Sequence, residues 1–294
     1  MLRTQRRAES GDPEEEVWVY WKLYPMSPSE IDGCILSALS HVHAEVPAIG
    51  QWHYLRIVDA DGLHIRVRFE VPRRAADASV MTFERLSTLT PAADCGPWRP
   101  IRPHPDSTIS GRDRRIVQWR TYVPEVNKWG AREALGRAHN TFTHSSRFAA
   151  AVLPDVSDPR DRSLVAMSLM SGLVKALPID GLTRDKFLRQ HAAWWDPARS
   201  LENRSESDSA TMRRVLRRSP AALTRLSRAI DAARLHGEQI AEASLHARGD
   251  RSPLYLAHQH AHLTINRLGI PGVPRGGGLS GPRRRDRDGV SHRA

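Results

Sequence analysis

Three groups of polar residues carry side chains that could do chemistry. The first is His64, Arg66 and Arg68 within Leu63–Val71, LHIRVRFEV. Two arginines two positions apart on one strand face lie about 7 Å from each other. Such a pair needs either acidic neighbours or an anionic ligand. The second group is Tyr122, Glu125 and Lys128, in YVPEVNKWG. A carboxylate and an ammonium three residues apart at a strand-to-helix junction could hold or move a proton, or simply favour the start of a helix. The third is His262, Asn266 and Arg267, with His258 and Tyr255 at one-turn spacings before them. The His-x-x-x-His pair lacks the glutamate of a metalloprotease helix and an obvious third ligand, so a zinc site is not expected. Each group also has a plain structural reading.

The elements that must position these residues can be read from periodicity. Leu63, Ile65, Val67, Phe69 and Val71 alternate with His64, Arg66, Arg68 and Glu70, which is a strand with one buried face. Gln51–Val58 is a second strand, and Asp59-Ala60-Asp61-Gly62 between them is turn chemistry, so Gln51–Val71 is expected as a β-hairpin. Glu16–Tyr24, EVWVYWKLY, and Arg115–Tyr122, RIVQWRTY, read as further strands. Ser27-Pro28-Ser29-Glu30 is capping chemistry before a helix running to about Val46. A short helix is expected over Ala78–Leu89, and a Pro- and Gly-rich loop over Pro91–Asp113.

From about Ala131 the pattern is helical. Ala131–Val152, Pro159–Ala176, Thr183–Trp195, Ser209–Arg218, Pro220–Ala247 and Pro253–Leu268 carry caps or apolar periodicity. Gly269, Pro271 and Pro274 end the last helix. Strands and helices first, then helices alone, predict an α+β fold: a mixed, largely antiparallel sheet flanked by helices, with a helical C-terminal half. Residues 1–15 and 271–294 are expected to be disordered around one domain over 16–270.

The 294-residue chain carries 44 Lys and Arg against 33 Asp and Glu, a net charge of +11. That excess suits an anionic partner, although the tail from Arg275 supplies six arginines of it against two aspartates. Two cysteines, Cys34 and Cys95, make neither a metal site nor a disulfide framework and favour a reducing cytoplasm. With no secretory apolar segment and no stretch near eighteen apolar residues, the chain is expected to be cytoplasmic and not to span a membrane. No nucleotide, flavin or metal motif appears, so no cofactor is expected.

Taken together, WVYWKLY, WHYLRIVDADGLHIRVRF, YVPEVNKWG and HLTINRLG resemble the C-terminal domain of lantibiotic dehydratases, a family that includes stand-alone thiopeptide-type bacteriocin biosynthesis proteins. The resemblance covers Glu16 to Ile270 and leaves out the large glutamylation domain of full-length enzymes. It implies a lyase in which glutamate, esterified to serine or threonine of a ribosomal precursor peptide by a separate glutamylation-domain protein using glutamyl-tRNA, is eliminated to leave dehydroalanine or dehydrobutyrine. Arg66 and Arg68 match the two arginines of the family's elimination strand, Glu125 its glutamate after proline, and His262 its histidine four before Asn-Arg. Lys128 stands where arginine is usual, keeping the charge but losing the bidentate fork.

The implied catalytic set is Arg66, Arg68, Glu125, Lys128 and His262, with His64, Tyr122, Asn266 and Arg267 around the substrate. β-Elimination needs a base for the α-proton and cations for the departing carboxylate, and these residue types supply both. Two alternatives stay open. One is the pyridine-forming cycloaddition enzyme of thiopeptide assembly, a homologue on the same fold. The other is a non-catalytic peptide- or tRNA-binding module using Arg213, Arg214, Arg217, Arg218 and the basic tail, although direct tRNA binding is not favoured. The elimination reading demands convergence of the polar face of Leu63–Val71, the Glu125–Lys128 turn and the His262 face of the last helix.

Overall fold

Strand β1 (Glu16–Tyr24) lies at the centre of the sheet because its Val17, Val19, Trp21 and Leu23 side needs covering and its backbone can pair on both edges. In the computed structural model, residues 15–46, 48–59, 62–85, 98–101, 115–195, 219–247 and 251–270 are described. Helix α1 (Ile31–Glu45) follows, then the hairpin of β2 (Trp52–Asp59) and β3 (Gly62–Pro72), helix α2 (Ala76–Arg85), β4 (Trp98–Ile101) and β5 (Arg115–Thr121). The sheet order is β2-β3-β1-β5-β4. All pairings are antiparallel except β4 with β5, which is parallel. The mixed, largely antiparallel sheet expected from the sequence is therefore present.

Helices make up the rest: a single turn α3 (Val126–Trp129), α4 (Glu133–Val152), α5 (Pro159–Ala176), α6 (Gly181–Trp195), α7 (Pro220–Leu245) and α8 (Pro253–Arg267). Their starts follow local chemistry. Ser219 and Ser252 accept from the backbone N–H groups of Ala222 and Tyr255, each with proline at the first helical position. Helices α5 and α7 cross at Gly172 and Gly237. A Cβ on either glycine would stand 2.1 Å from a carbonyl oxygen of the other helix, so only glycine permits this approach.

Four expectations need correction. Ser27 precedes a 3-10 turn and makes no capping bond; its hydroxyl meets Ser29 at 2.8 Å instead. The expected loop Pro91–Asp113 contains β4, whose four residues are too few to show a periodic signal. Glu15 is tied down by Arg73 through backbone and side chain rather than frayed. The largest correction concerns β3, whose polar face is partly covered: His64 and Arg68 are buried, like Ile65 and Val67, whereas Arg66 and Glu70 are half-buried. The expected helix at Ser209–Arg218, Cys95 and the basic tail lie outside the described residues. Cys34 is a buried thiol that forms no disulfide among the described residues.

The free edge of β2 is closed by helices. Thr143 and Ser146 of α4 accept from the backbone N–H groups of Trp52 and Tyr54. On α8, the Asn266 amide accepts from Arg56 N and donates to Arg56 O, and Arg267 Nε donates to Tyr54 O. An edge that would otherwise expose unpaired amides is thus satisfied by side chains. The C-terminal end of α8 is held by cations, as its dipole favours. Arg56 donates to Arg267 O and Arg162 to Leu268 O, and Asp32 pairs with both arginines. Gly269, with φ 80°, leaves room for these guanidinium groups; a Cβ there would lie 2.7 Å from Arg56 Nη1.

Candidate functional site

Hairpin geometry places the first side chain. Pairing outward from Asp59↔Gly62 sets His53 opposite Arg68, and β1 sets Tyr20 on the other side of it. The Arg68 guanidinium lies 4.8 Å from the Tyr20 ring centroid and 4.7 Å from that of Tyr122, sandwiched between two aromatic faces. Its Nη1 contacts His53 Nε2 at 3.4 Å, and its Nε has no partner among the described residues. Burial lowers the Arg68 pKa, though the group stays a cation near neutrality.

Around it stands an aromatic and imidazole wall. Tyr122 OH meets His139 Nε2 at 2.8 Å, and His139 packs on Trp18 with ring centroids 4.4 Å apart. Burial, helped by the Arg68 charge, pushes His139 down to about 4. Burial drives His53 well below its ordinary range too, with Arg68 and Arg267 acting the same way. Both imidazoles are therefore neutral at pH 7.

The turn α3 brings the second group. Pro124 precedes it, and Gly130, with φ 88°, ends it. Lys128 Nζ is 4.0 Å from Glu125 Oε2 and 5.0 Å from the Trp129 ring centroid. Burial lowers the lysine pKa against the opposing pull of Glu125. From α8 comes Arg267, fully buried, with its Nε spent on Tyr54 O. Its two terminal nitrogens find no partner among the described residues, and burial lowers its pKa to about 9.

Arg68, Tyr122, Glu125, Lys128 and Arg267 line one cavity, together with His53, Trp129 and Phe142. Three cations thus face a single carboxylate in a space of about 30 Å³, room for roughly one water. His262 is half-buried on α8, beside Lys128, whose charge adds to burial in lowering it to about 4.

His262 does not line this cavity, and the other sequence candidates fall outside it too. Arg66 points from the same strand face but is held by Asp59 at 3.2 Å and by His64 Nε2 at 3.3 Å. His64 is fully buried against the Tyr24 ring, accepts from Arg66 through Nε2 and donates through Nδ1 to Gly62 O; burial pushes it down to about 4. Asn266 serves the β2 edge. His258 meets His191 of α6, Nδ1 to Nδ1, at 3.2 Å. Among the described residues no group of three His, Cys, Asp or Glu side chains could hold a metal ion, and no helix is long and apolar enough to cross a membrane. The arginine cluster from Arg213 to Arg218 lies outside the described residues.

His53, His139, Trp129 and Phe142 were not singled out from the sequence. The hairpin register would have given His53, whereas the other three come from helices whose docking no local pattern reveals.

The family described as lantibiotic biosynthesis dehydratase, C-terminal, matches residues 18–275. The crystal structure of the tRNA-dependent lantibiotic dehydratase MibB from Microbispora sp. 107891 is similar over 89% of this chain and 26% of that one, with 19% identity and a TM-score of 0.52. The crystal structure of TsrL is similar over 87% of this chain and 89% of that one, at 13% identity and a TM-score of 0.49. No curated protein matches the chain.

Proposed function

The chain belongs to the lantibiotic biosynthesis dehydratase C-terminal family, and from that premise we propose that it is the glutamate-elimination subunit of a split dehydratase. It acts on a ribosomal precursor peptide whose serine or threonine has been glutamylated by a separate protein. In the reaction the Cα–H proton goes to a base, the Cβ–O bond breaks, and glutamate leaves as a carboxylate, so each modified serine ends lighter by one water.

The observation that carries the reading is the charge imbalance of the small cavity: Arg68, Lys128 and Arg267 against Glu125 alone. Buried guanidinium nitrogens without partners are costly unless a ligand supplies acceptors. A leaving carboxylate with two oxygens matches that need, and its negative charge grows as the Cβ–O bond breaks, so these donors favour the transition state over the ester. His262, neutral at pH 7 and beside Lys128, serves as the base. Tyr122, hydrogen-bonded to His139, is placed to pass a proton or to hold the amide oxygen that becomes enolate-like. Arg66, ion-paired with Asp59, stays outside the cavity.

The test is elimination from a synthetic O-glutamyl-serine peptide. The protein should release glutamate and leave dehydroalanine, seen by mass. An intact ester after prolonged incubation overturns the proposal, and ring formation from a peptide already bearing dehydroalanines would assign the chain to cycloaddition instead.

A further inference from the structure

Behind the α3 turn lies a second, much larger cavity of about 780 Å³, between α4, α7 and the start of α8. The two spaces share a wall. Trp129 lines both, while Glu125 and Lys128 face the cationic cavity and Val126, Asn127 and Gly130 face the large one. Trp129 is buried, held edge-on to Phe142 at 4.7 Å and packed on His260 at 4.8 Å.

The floor of the large cavity is apolar and covered: Ala138, Ile240 and Leu256 are all buried. Its mouth is polar. Arg251, just before α8, reaches Asn127 O, and Arg137 of α4 reaches His246 O at 2.7 Å as well as Glu133, so two arginines tie the opening to backbone carbonyls. His260 lines the cavity, is 5% exposed, and leaves Nδ1 without a hydrogen-bond partner among the described residues. The charges of the small cavity call for a carboxylate; the large one, apolar at depth and lined elsewhere by amide and imidazole side chains with Arg137, Glu242 and Arg251, suits a peptide side chain and its flanking backbone.

We infer that the large cavity binds the apolar side chain next to the glutamylated residue of the peptide substrate, with Trp129 as the partition that sets the spacing between that side chain and the ester. The inference rests on the elimination reading for the identity of the substrate. An extended chain advances about 3.3 Å per residue, so a peptide crossing the edge of Trp129 presents its ester to one space and a neighbouring side chain to the other. The site then selects sequence context around each modified serine, through a hydrophobic contact remote from the reacting atoms.

Two synthetic pairs test this. The first is Ac-Leu-Ser(O-Glu)-Leu-NH2 and its counterpart with glycine on both sides, compared by kcat/KM for glutamate release. The second pair replaces the serine ester by the glutamyl amide of diaminopropionate, which cannot eliminate, and is compared by calorimetric Kd. Leucine should be preferred by roughly 10- to 100-fold in both measurements, the discrimination expected of a hydrophobic pocket. Ala243→Trp, on the exposed side of α7 where it fills the cavity without disturbing the core, should bring leucine down to the level of glycine. Leu235→Ala, on the same helix but away from the cavity, should preserve the preference. Equal Kd values for the leucine and glycine amides, or a preference untouched by Ala243→Trp, overturns the inference while leaving elimination intact. A leucine preference in Kd without turnover of either ester supports the cavity and sinks the elimination reading.

Discussion

Arginines gather at two places around the last helix, and the two clusters are built on opposite principles. At the C-terminal end of α8, Arg56 and Arg162 share Asp32 and cap carbonyl oxygens. Burial alone would raise the Asp32 carboxyl, but the combined pull of Arg56 and Arg162 outweighs it and holds the group below the usual carboxylate range. In the cavity beside α3, Arg68, Lys128 and Arg267 have one exposed carboxylate among them, and three guanidinium nitrogens find no partner among the described residues. The first cluster is neutralised within the chain and fastens helix to sheet. The second is not neutralised by the described residues, and in the proposed reaction its charge meets the departing carboxylate. Arginine count does not separate the two; the supply of acceptors does.

That contrast breaks most sharply under substitution. Arg68→Ala should lower kcat/KM for elimination by on the order of 10²–10³, the loss typical of one donor to a developing anion, while thermal unfolding shows a folded protein. Arg267→Met should abolish the rise in melting temperature produced by millimolar free glutamate. Its own stability should stay within about 1 kcal/mol of the parent, because losing the Tyr54 bond is offset by removing a desolvated charge. A large loss of stability in Arg267→Met would show that both clusters are structural.

Asp32→Ala is the converse. It strands two buried guanidinium groups and should cost roughly 3 kcal/mol in urea denaturation, near the low end for breaking a buried ion pair because Asp32 is partly exposed. The surviving folded fraction should keep its kcat. Asn266→Leu, which strips two hydrogen bonds from the β2 edge, should cost about 2 kcal/mol, again with its effect on stability rather than on chemistry.

Acid should weaken the fold gradually. Folding lowers His64, His139 and His236 to about 4 and His260 to about 3, mainly through burial, whereas the unfolded chain titrates near 6.5. As pH falls, the unfolded chain takes up protons first, so stability is full above about 6.5 and declines as pH drops toward 4. Urea midpoints measured at pH 7.5, 6, 5 and 4.5 should fall in that order; a flat series would contradict the neutral imidazole wall. The smallest effect is expected from Lys128→Arg, which restores the fork and should tighten free glutamate only a few-fold, measured by calorimetry.

Much of this was legible in the chain. The alternation of LHIRVRFEV, the Asp59–Gly62 turn and the proline-led caps at Ser219 and Ser252 are local signals, and the hairpin and helices formed where they pointed. The α+β class followed from the order of elements. What alternation could not show was that His64 and Arg68 on the polar face of β3 would be covered, since that depends on Tyr24, Tyr20 and Tyr122 arriving from other strands and their ends. Distance along the chain hid the work of Asn266, whose partner Arg56 is 210 positions away. It also hid Trp129, which local pattern offers only as one more aromatic residue. His64 is a reverse lesson: a histidine beside two arginines reads as a ligand, but a position under Tyr24 makes it a support for Arg66.

The side chains that close the β2 edge have a consequence for how a peptide can be held. Many proteins capture an extended peptide by letting it become one more strand, with main-chain hydrogen bonds supplying affinity and little regard to sequence. Along β2 the backbone groups of Trp52, Tyr54 and Arg56 are already taken by Thr143, Ser146, Asn266 and Arg267. Strand addition is therefore blocked on that flank, and a visiting peptide must be read there through its side chains.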